Sequence, residues 1–204
     1  MKAKFALAFL LSVVCIARAQ TPHDAPPWKE EMAKGYFPYH RLVAADFPVN
    51  DQVHPGNGMY TWGFFHYLYK GQGIARDGHV VDRVTDWLVW SGFDRNKSSR
   101  KSWFKFVNET LGHEQGHLNI NELHSRRLAN TALDKLPVGE GSTPEEAAAD
   151  LKQKIKAMCD RVSEEAKEEQ DRYDAETAHG KNASKQREWS TAIQGRLQRA
   201  GIHF

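Results

Sequence analysis

Cysteine is nearly absent from this chain, which carries two in 204 residues. One of them, Cys15, lies in a leader-like segment, so only Cys159 is left for the rest of the protein. A disulfide framework is excluded, and the fold must stand on its own core and on any metal it holds. Long apolar runs are missing as well. The one apolar stretch, Phe5 to Ile16, is too short for a membrane span. A basic excess is also missing. Three of the 28 basic residues, Lys2, Lys4 and Arg18, belong to the leader, and the others are almost balanced by 26 acidic ones. A nucleic-acid binder would show a basic surplus. No internal repeat is found.

The leader itself has the parts of a secretory signal. Lys2 and Lys4 form a basic start, the apolar run follows, and Ala17-Arg18-Ala19 is a small-residue cleavage site. Valine before Cys15 argues against lipid attachment. The expectation is a signal peptide over 1–19, cut after Ala19, and a periplasmic or secreted product beginning at Gln20. Residues 20–204 are then one domain's length, enough to bury a core. Asn96-Lys97-Ser98, Asn108-Glu109-Thr110 and Asn182-Ala183-Ser184 are glycosylation sequons, relevant only in a host that uses them.

The remaining chain divides into a strand-rich part, 40–95, and a helical part, 98–200. Residues 20–38 read as an extended lead-in, and Arg41 to Phe47 as a short strand ended by Pro48. Pro55-Gly56-Asn57-Gly58 marks a turn. Met59 to Tyr69, dense in Tyr, Trp and Phe, predicts a strand, and His79 to Trp90 a second one with a break near Asp82-Arg83. The aromatics are expected in the core of a small antiparallel sheet. From Trp103 to Leu136 there is no proline, and apolar residues recur at helical spacing, with Ser98 to Ser102 as cap candidates. Leu136-Pro137 and Gly139 to Gly141 end that helix and form a loop. Thr143-Pro144-Glu145-Glu146 opens the next helix with a capping box, and Gly180 stops it. A last helix spans Ser184 to Arg199, with Trp189, Ile193 and Leu197 on one face. The fold class expected is α+β, a sheet packed on long helices. Cys159, in a charged helical pattern, reads as a packed thiol.

Inside the first long helix lies His113-Glu114-Gln115-Gly116-His117. Histidines four residues apart share a helix face, where two imidazoles can converge on one Zn²⁺ at ~2.1 Å. Glu114 falls beside the open position, where it can take a proton from a zinc-bound water. This is the arrangement of a zinc metallopeptidase. A catalytic zinc needs a third protein ligand. Glu122 lies ~140° round the helix from His117 and faces away, toward a partner such as Arg126. His124 shares the face but stands ~10 Å further along it. In a simple hairpin about 137–143, Glu164 or Glu165 would lie opposite the motif. The run Tyr173 to Gly180 nominates His179 instead, at a helix end where a side chain can turn back toward a cleft.

The sequence resembles a bacterial family of exported zinc-dependent proteases of the zincin type, grouped as a domain of unknown function. The family pattern is roughly HEQ-x-H-F-D-I-x-E-L-x-A-R, then Y-D-x-E-T-x-H-G, then Q-x-x-W. This chain has HEQGHLNINELHSRR, YDAETAHG, and Gln186 with Trp189. Likeness extends to LVAADF from Leu42 and to FDRNKSSRKSW before the helix. The resemblance implies a zincin-like domain whose zinc is held by His113, His117 and His179, with a peptide or protein as substrate. Where the family has Phe-Asp after the second histidine, this chain has Leu118-Asn119. An aspartate supporting a ligand there would be replaced by a weaker partner. Tyr173 is either a donor to the oxyanion, for which a phenol is suited, or a packed tyrosine. The rival function is a non-catalytic zinc-stabilised module that binds a protein partner through its aromatic sheet. Nothing in the sequence specifies an oligomeric state.

Overall fold

The computed structural model describes residues 25–52, 58–105 and 107–202. The signal segment and most of the turn at Pro55 to Gly58 lie outside them. Helix α1 (Trp28–Ala33) and strand β1 (Tyr36–Pro38) occupy what reads as an extended lead-in. Arg41 to Phe47 is not a strand: Ala44–Asp46 form a 3-10 turn, closed by the Asp46 carboxylate on the Val43 amide at 2.7 Å. Strand β2 (Met59–Tyr60) precedes the two long strands β3 (Gly63–Arg76) and β4 (His79–Asp94). These two pair antiparallel along their lengths. β4 is continuous through Asp82-Arg83, but the ladder shifts register close by: Lys70 and Gly71 oppose Asp86 and Val84, which leaves Thr85 of β4 as a bulge.

β4 organises the sheet. β3 covers one of its edges, while β1 and β6 (Val138–Gly141) share the other at opposite ends. The expected loop at Gly139 to Gly141 is therefore a strand. β2 pairs separately with β5 (Ser99–Arg100) in a two-stranded ladder. Ser99 and Arg100 thus belong to this ladder, and the 98–102 segment does not cap a helix. Ser98 Oγ instead accepts the Trp62 amide at 2.9 Å. Helix α2 (Val107–Ala129) starts later and ends earlier than its apolar spacing suggests, leaving Trp103 outside and 62% exposed.

Helix α3 (Pro144–Thr177) opens as its capping residues dictate, with Thr143 Oγ1 accepting the Glu146 amide at 3.2 Å. Glu146 returns the bond to the Ser142 amide at 2.8 Å. Helix α4 (Ala183–Arg199) closes the fold. One face of the sheet meets α3: Phe65, Tyr67 and Tyr69, two residues apart on β3, pack against Leu151, Ile155 and Cys159. Burial pushes the Cys159 thiol up to about 12, in keeping with a packed thiol. A second cluster joins α2, α3 and α4 through Ile120, Leu123, Tyr173, Ile193 and Leu197.

α2 runs through the middle of these layers, and its buried stretch is strongly polar. Burial without partners would cost about 1–3 kcal/mol for each such group. Each has one. Asn119 accepts the Tyr39 hydroxyl at 2.9 Å, and Asn121 donates to the Phe64 carbonyl at 2.8 Å. Glu122 takes the Arg126 guanidinium at 2.7 Å and the Ser91 hydroxyl, so it faces away from the histidine pair as expected. His124 meets Glu169 at 2.8 Å, and Arg196 of α4 binds the same carboxylate. Burial opposes the charge on Glu169, but the His124 and Arg196 hydrogen bonds prevail and hold its carboxyl at about 2.

Glu169 therefore ties three helices together, and its contribution has a defined pH window. Its folded value lies below the ordinary 4.5, so the stabilisation is full above about 4.5 and is lost as pH falls toward about 2. Glu169→Gln should cost about 3 kcal/mol near neutrality, because Arg196 loses its counter-charge and His124 its carboxylate partner. In urea titrations the difference between parent and variant should shrink steadily from pH 5 to pH 2. A difference that stays constant across that range would show that the charge contributes nothing.

Candidate metal centre

His113 and His117 lie on one face of α2, with their Nε2 atoms 3.3 Å apart. Asp174 of α3 completes the group: its Oδ1 is 3.0 Å from each of those nitrogens. These are the described residues that could together hold a metal ion. His179 adjoins them from the rim, with Nδ1 3.4 Å from Asp174 Oδ1 and its side chain 66% exposed. Glu164 and Glu165 stand elsewhere. Glu164 is exposed, and Glu165 is paired with Arg127. The simple hairpin fails as a guide because the turn at Leu133–Lys135 and β6 intervene between the helices. They shift α3 so that Glu165 faces Arg127, Glu169 faces His124 and Asp174 faces the motif.

Tyr173, next to Asp174, lies beneath the imidazoles and is fully buried. Its ring stacks on His113 at 4.7 Å and 16°, and meets His117 edge-on at 5.1 Å. Its hydroxyl donates to the His113 carbonyl at 3.1 Å and accepts from the Gln186 amide at 2.7 Å. Burial raises the phenol well above its ordinary value. That chain of bonds orients Gln186, whose Oε1 then faces His113 Nδ1 at 3.1 Å. An amide oxygen is only an acceptor, so Nδ1 carries a proton, and Nε2 is the atom turned toward Asp174 and His117. Gln186 is thus a partner from α4 that fixes the tautomer of a candidate ligand. Trp189, three residues on, donates to Glu176 at 2.9 Å and packs on Tyr173.

Nε2 of His113 faces a carboxylate oxygen and a second imidazole nitrogen. Lone pairs converging in this way repel unless a cation or a proton lies among them. The surroundings respond accordingly. Burial works against the charge on Asp174, but its bonds with His113 and His117 hold its carboxyl well below the ordinary range. Burial also disfavours a charged His117, yet Asp174, Glu114 and a hydrogen bond with Gln170 leave its value raised. Donor atoms around one tetrahedral ion at ~2.0–2.1 Å stand ~3.3–3.4 Å apart. The spacings here are close to that, so the donor set fits a small divalent metal.

Glu114, buried to 5% exposure, lines the same cleft, an opening of about 880 Å³ between α2, α3 and the 58–65 segment. Asn119 does not support the histidines. It binds Tyr39 and Gln115, and Gln115 in turn accepts the Leu42 amide at 2.7 Å. The 39–42 segment is thereby held on the far side of α2. Beyond Thr177, Ala178, His179 and Gly180 all have positive φ, at 50°, 52° and 81°. Two of them are not glycine, and this costly turn swings His179 toward the cleft. Sequence reasoning missed Asp174 as a member of the cluster, although it stands in the YDAETAHG run beside Tyr173.

Gly116 shows how closely α3 approaches. A Cβ built there would overlap the Tyr173 hydroxyl and ring. Gly116→Ala should cost about 1–3 kcal/mol through this overpacking. Removing the hydroxyl with Tyr173→Phe should recover part of the loss in the double variant, as read from denaturation midpoints. Strict additivity of the two changes would place the alanine methyl somewhere other than against Tyr173.

No curated protein and no solved structure matches the chain. Residues 89–180 match the family model described as a bacterial protein of unknown function (DUF922), a span that takes in both the His113–His117 motif and the Tyr173–Gly180 run.

Proposed function

We infer that the cleft is the active site of a zinc-dependent peptidase working outside the cytoplasm. One observation carries the reading: a tautomer-fixed imidazole, a second imidazole and a carboxylate oxygen converge within 3.0–3.3 Å at the base of a cleft that Glu114 also lines. Two imidazoles and one carboxylate suit Zn²⁺. His113, His117 and Asp174 would hold it. His179, implied as a ligand by resemblance, is the remaining candidate at the rim. A bound zinc supplies Lewis acidity, polarising a carbonyl and making water acidic enough to attack near neutral pH.

The chain's own residues supply the rest. Glu114 takes the proton from the attacking water as its oxygen bonds to the scissile carbonyl carbon. It then returns that proton to the amine as the C–N bond breaks. Asp174 carries the negative charge that the two neutral imidazoles lack. Tyr173, whose hydroxyl is committed to the His113 carbonyl, is in this reading a positioning residue that holds the His113 ring flat. The signal-like residues 1–19 support export to the periplasm or beyond. No helix among the described residues is long and apolar enough to cross a membrane.

Protein purified without chelator should carry close to one zinc per chain by elemental analysis. His113→Ala, His117→Ala and Asp174→Ala should each lower zinc affinity by orders of magnitude, and His179→Ala by much less. The reverse order for Asp174 and His179 would make His179 the third ligand.

Glu114→Gln should keep its zinc and its thermal midpoint while losing about 10²–10⁴ in peptide turnover, the usual cost of a lost general base. Substrates for that measurement come from a peptide-library digest by the parent. A parent with full zinc that cuts no peptide would turn the reading to the zinc-stabilised binding module.

A further inference from the structure

The aromatic stretch at 59–65 is only partly used by the core. Phe65 packs inward against α3, but Tyr60, Trp62 and Phe64 also line the cleft, joined there by Trp103 and Phe104. Trp62 is 40% exposed and Trp103 62%, among the largest apolar side chains left open to solvent. The opposite wall, from α3, is polar: Ser163, Lys167, Gln170 and Asp171, with Lys167 and Asp171 paired at 2.5 Å. The cleft is therefore apolar on one side, self-neutralised on the other, and bears the histidine–aspartate group at its base. Its apolar wall draws Tyr60 from β2, Phe64 from the start of β3, and Trp62, Trp103 and Phe104 from the segments that adjoin these strands.

We propose that this aromatic wall is the specificity subsite of the cleft, and that its occupant is a polypeptide presenting a bulky apolar side chain next to the bond held over the histidines. The choice of a polypeptide rests on the hydrolytic reading above. The shape of the wall supports it separately. Sugar rings stack on aromatic faces lying flush with one another, whereas Tyr60 and Trp62 are inclined at 43° and Trp103 and Phe104 at 84°. Tilted faces make a corner, which encloses a side chain on two sides. Lys97 lies 4.8 Å over the Trp62 ring and covers part of it, leaving the rest turned to the cleft. Burying a large apolar group against exposed tryptophan removes apolar surface from water on both partners.

The test uses the full chain carrying Glu114→Gln, so that peptides bind without being cut. Blocked five-residue alanine peptides with phenylalanine, leucine, aspartate or lysine at the centre are titrated by calorimetry. The phenylalanine and leucine peptides should bind at least about tenfold tighter than the charged ones. Trp103→Ala, at a position too exposed to matter for folding, should remove about tenfold of that preference with zinc content unchanged, and Trp62→Ala should do likewise. In the active parent the same tryptophan changes should raise KM more than they lower kcat. Equal affinity for all four peptides overturns the proposal. So does a Trp103→Ala variant that keeps the full preference, or binding of chitin oligomers or phospholipid vesicles in place of the peptides. Tight binding of the phenylalanine peptide by a protein whose parent cuts none of the four supports the subsite and counts against the hydrolytic reading alone.

Discussion

The contact between Gly116 of α2 and Tyr173 of α3 is the constraint on which the rest of the site depends. A glycine at this crossing lets the two helices approach until the phenol ring lies flat against His113. Tyr173 then anchors three groups together. Its hydroxyl binds the backbone of the residue whose side chain it supports, it receives Gln186 from α4, and its neighbour Asp174 is delivered to both histidines. A larger residue at 116 would push α3 away and separate the carboxylate from the imidazoles.

The approach is maintained further along by polar contacts buried between the helices. His124, Glu169 and Arg196 link α2, α3 and α4, and Asn121 binds α2 to the start of β3. A helix buried on nearly all sides would ordinarily be apolar. Asn119, Asn121, Glu122 and His124 of α2 each meet a partner from outside the helix, and such partners restrict its rotation and register more sharply than interchangeable apolar contacts do. That precision suits a helix that must aim two imidazoles at one point.

Function depends on what this rigid base leaves open. The cluster lies at the bottom of a cleft with aromatic residues on one wall and α3 on the other. In the proposed reading, water, a carbonyl and Glu114 meet there while a side chain rests against Trp62 and Trp103.

Much of this was legible in local chemistry. The four-residue spacing of His113 and His117, the Thr143-Pro144 helix start, the αL stop near Gly180 and the alternating aromatics of β3 follow from helix and strand geometry within a few residues. The α+β class follows from the same patterns. Boundaries were less legible. Trp103 fits the helical spacing yet lies outside α2, because Ser99-Arg100 pair with β2 and hold the chain extended. Gly139 to Gly141 suggest a loop but form a strand on β4. Neither pairing has a local signature. The third member of the cluster depended wholly on tertiary structure. The 3-10 turn and β6 set the offset of α3 against α2, and that offset brings Asp174, rather than Glu164 or Glu165, to the histidines. Sequence by itself determined which residues could bind a metal; which of them share a point in space was decided by the packing of two helices across a single glycine.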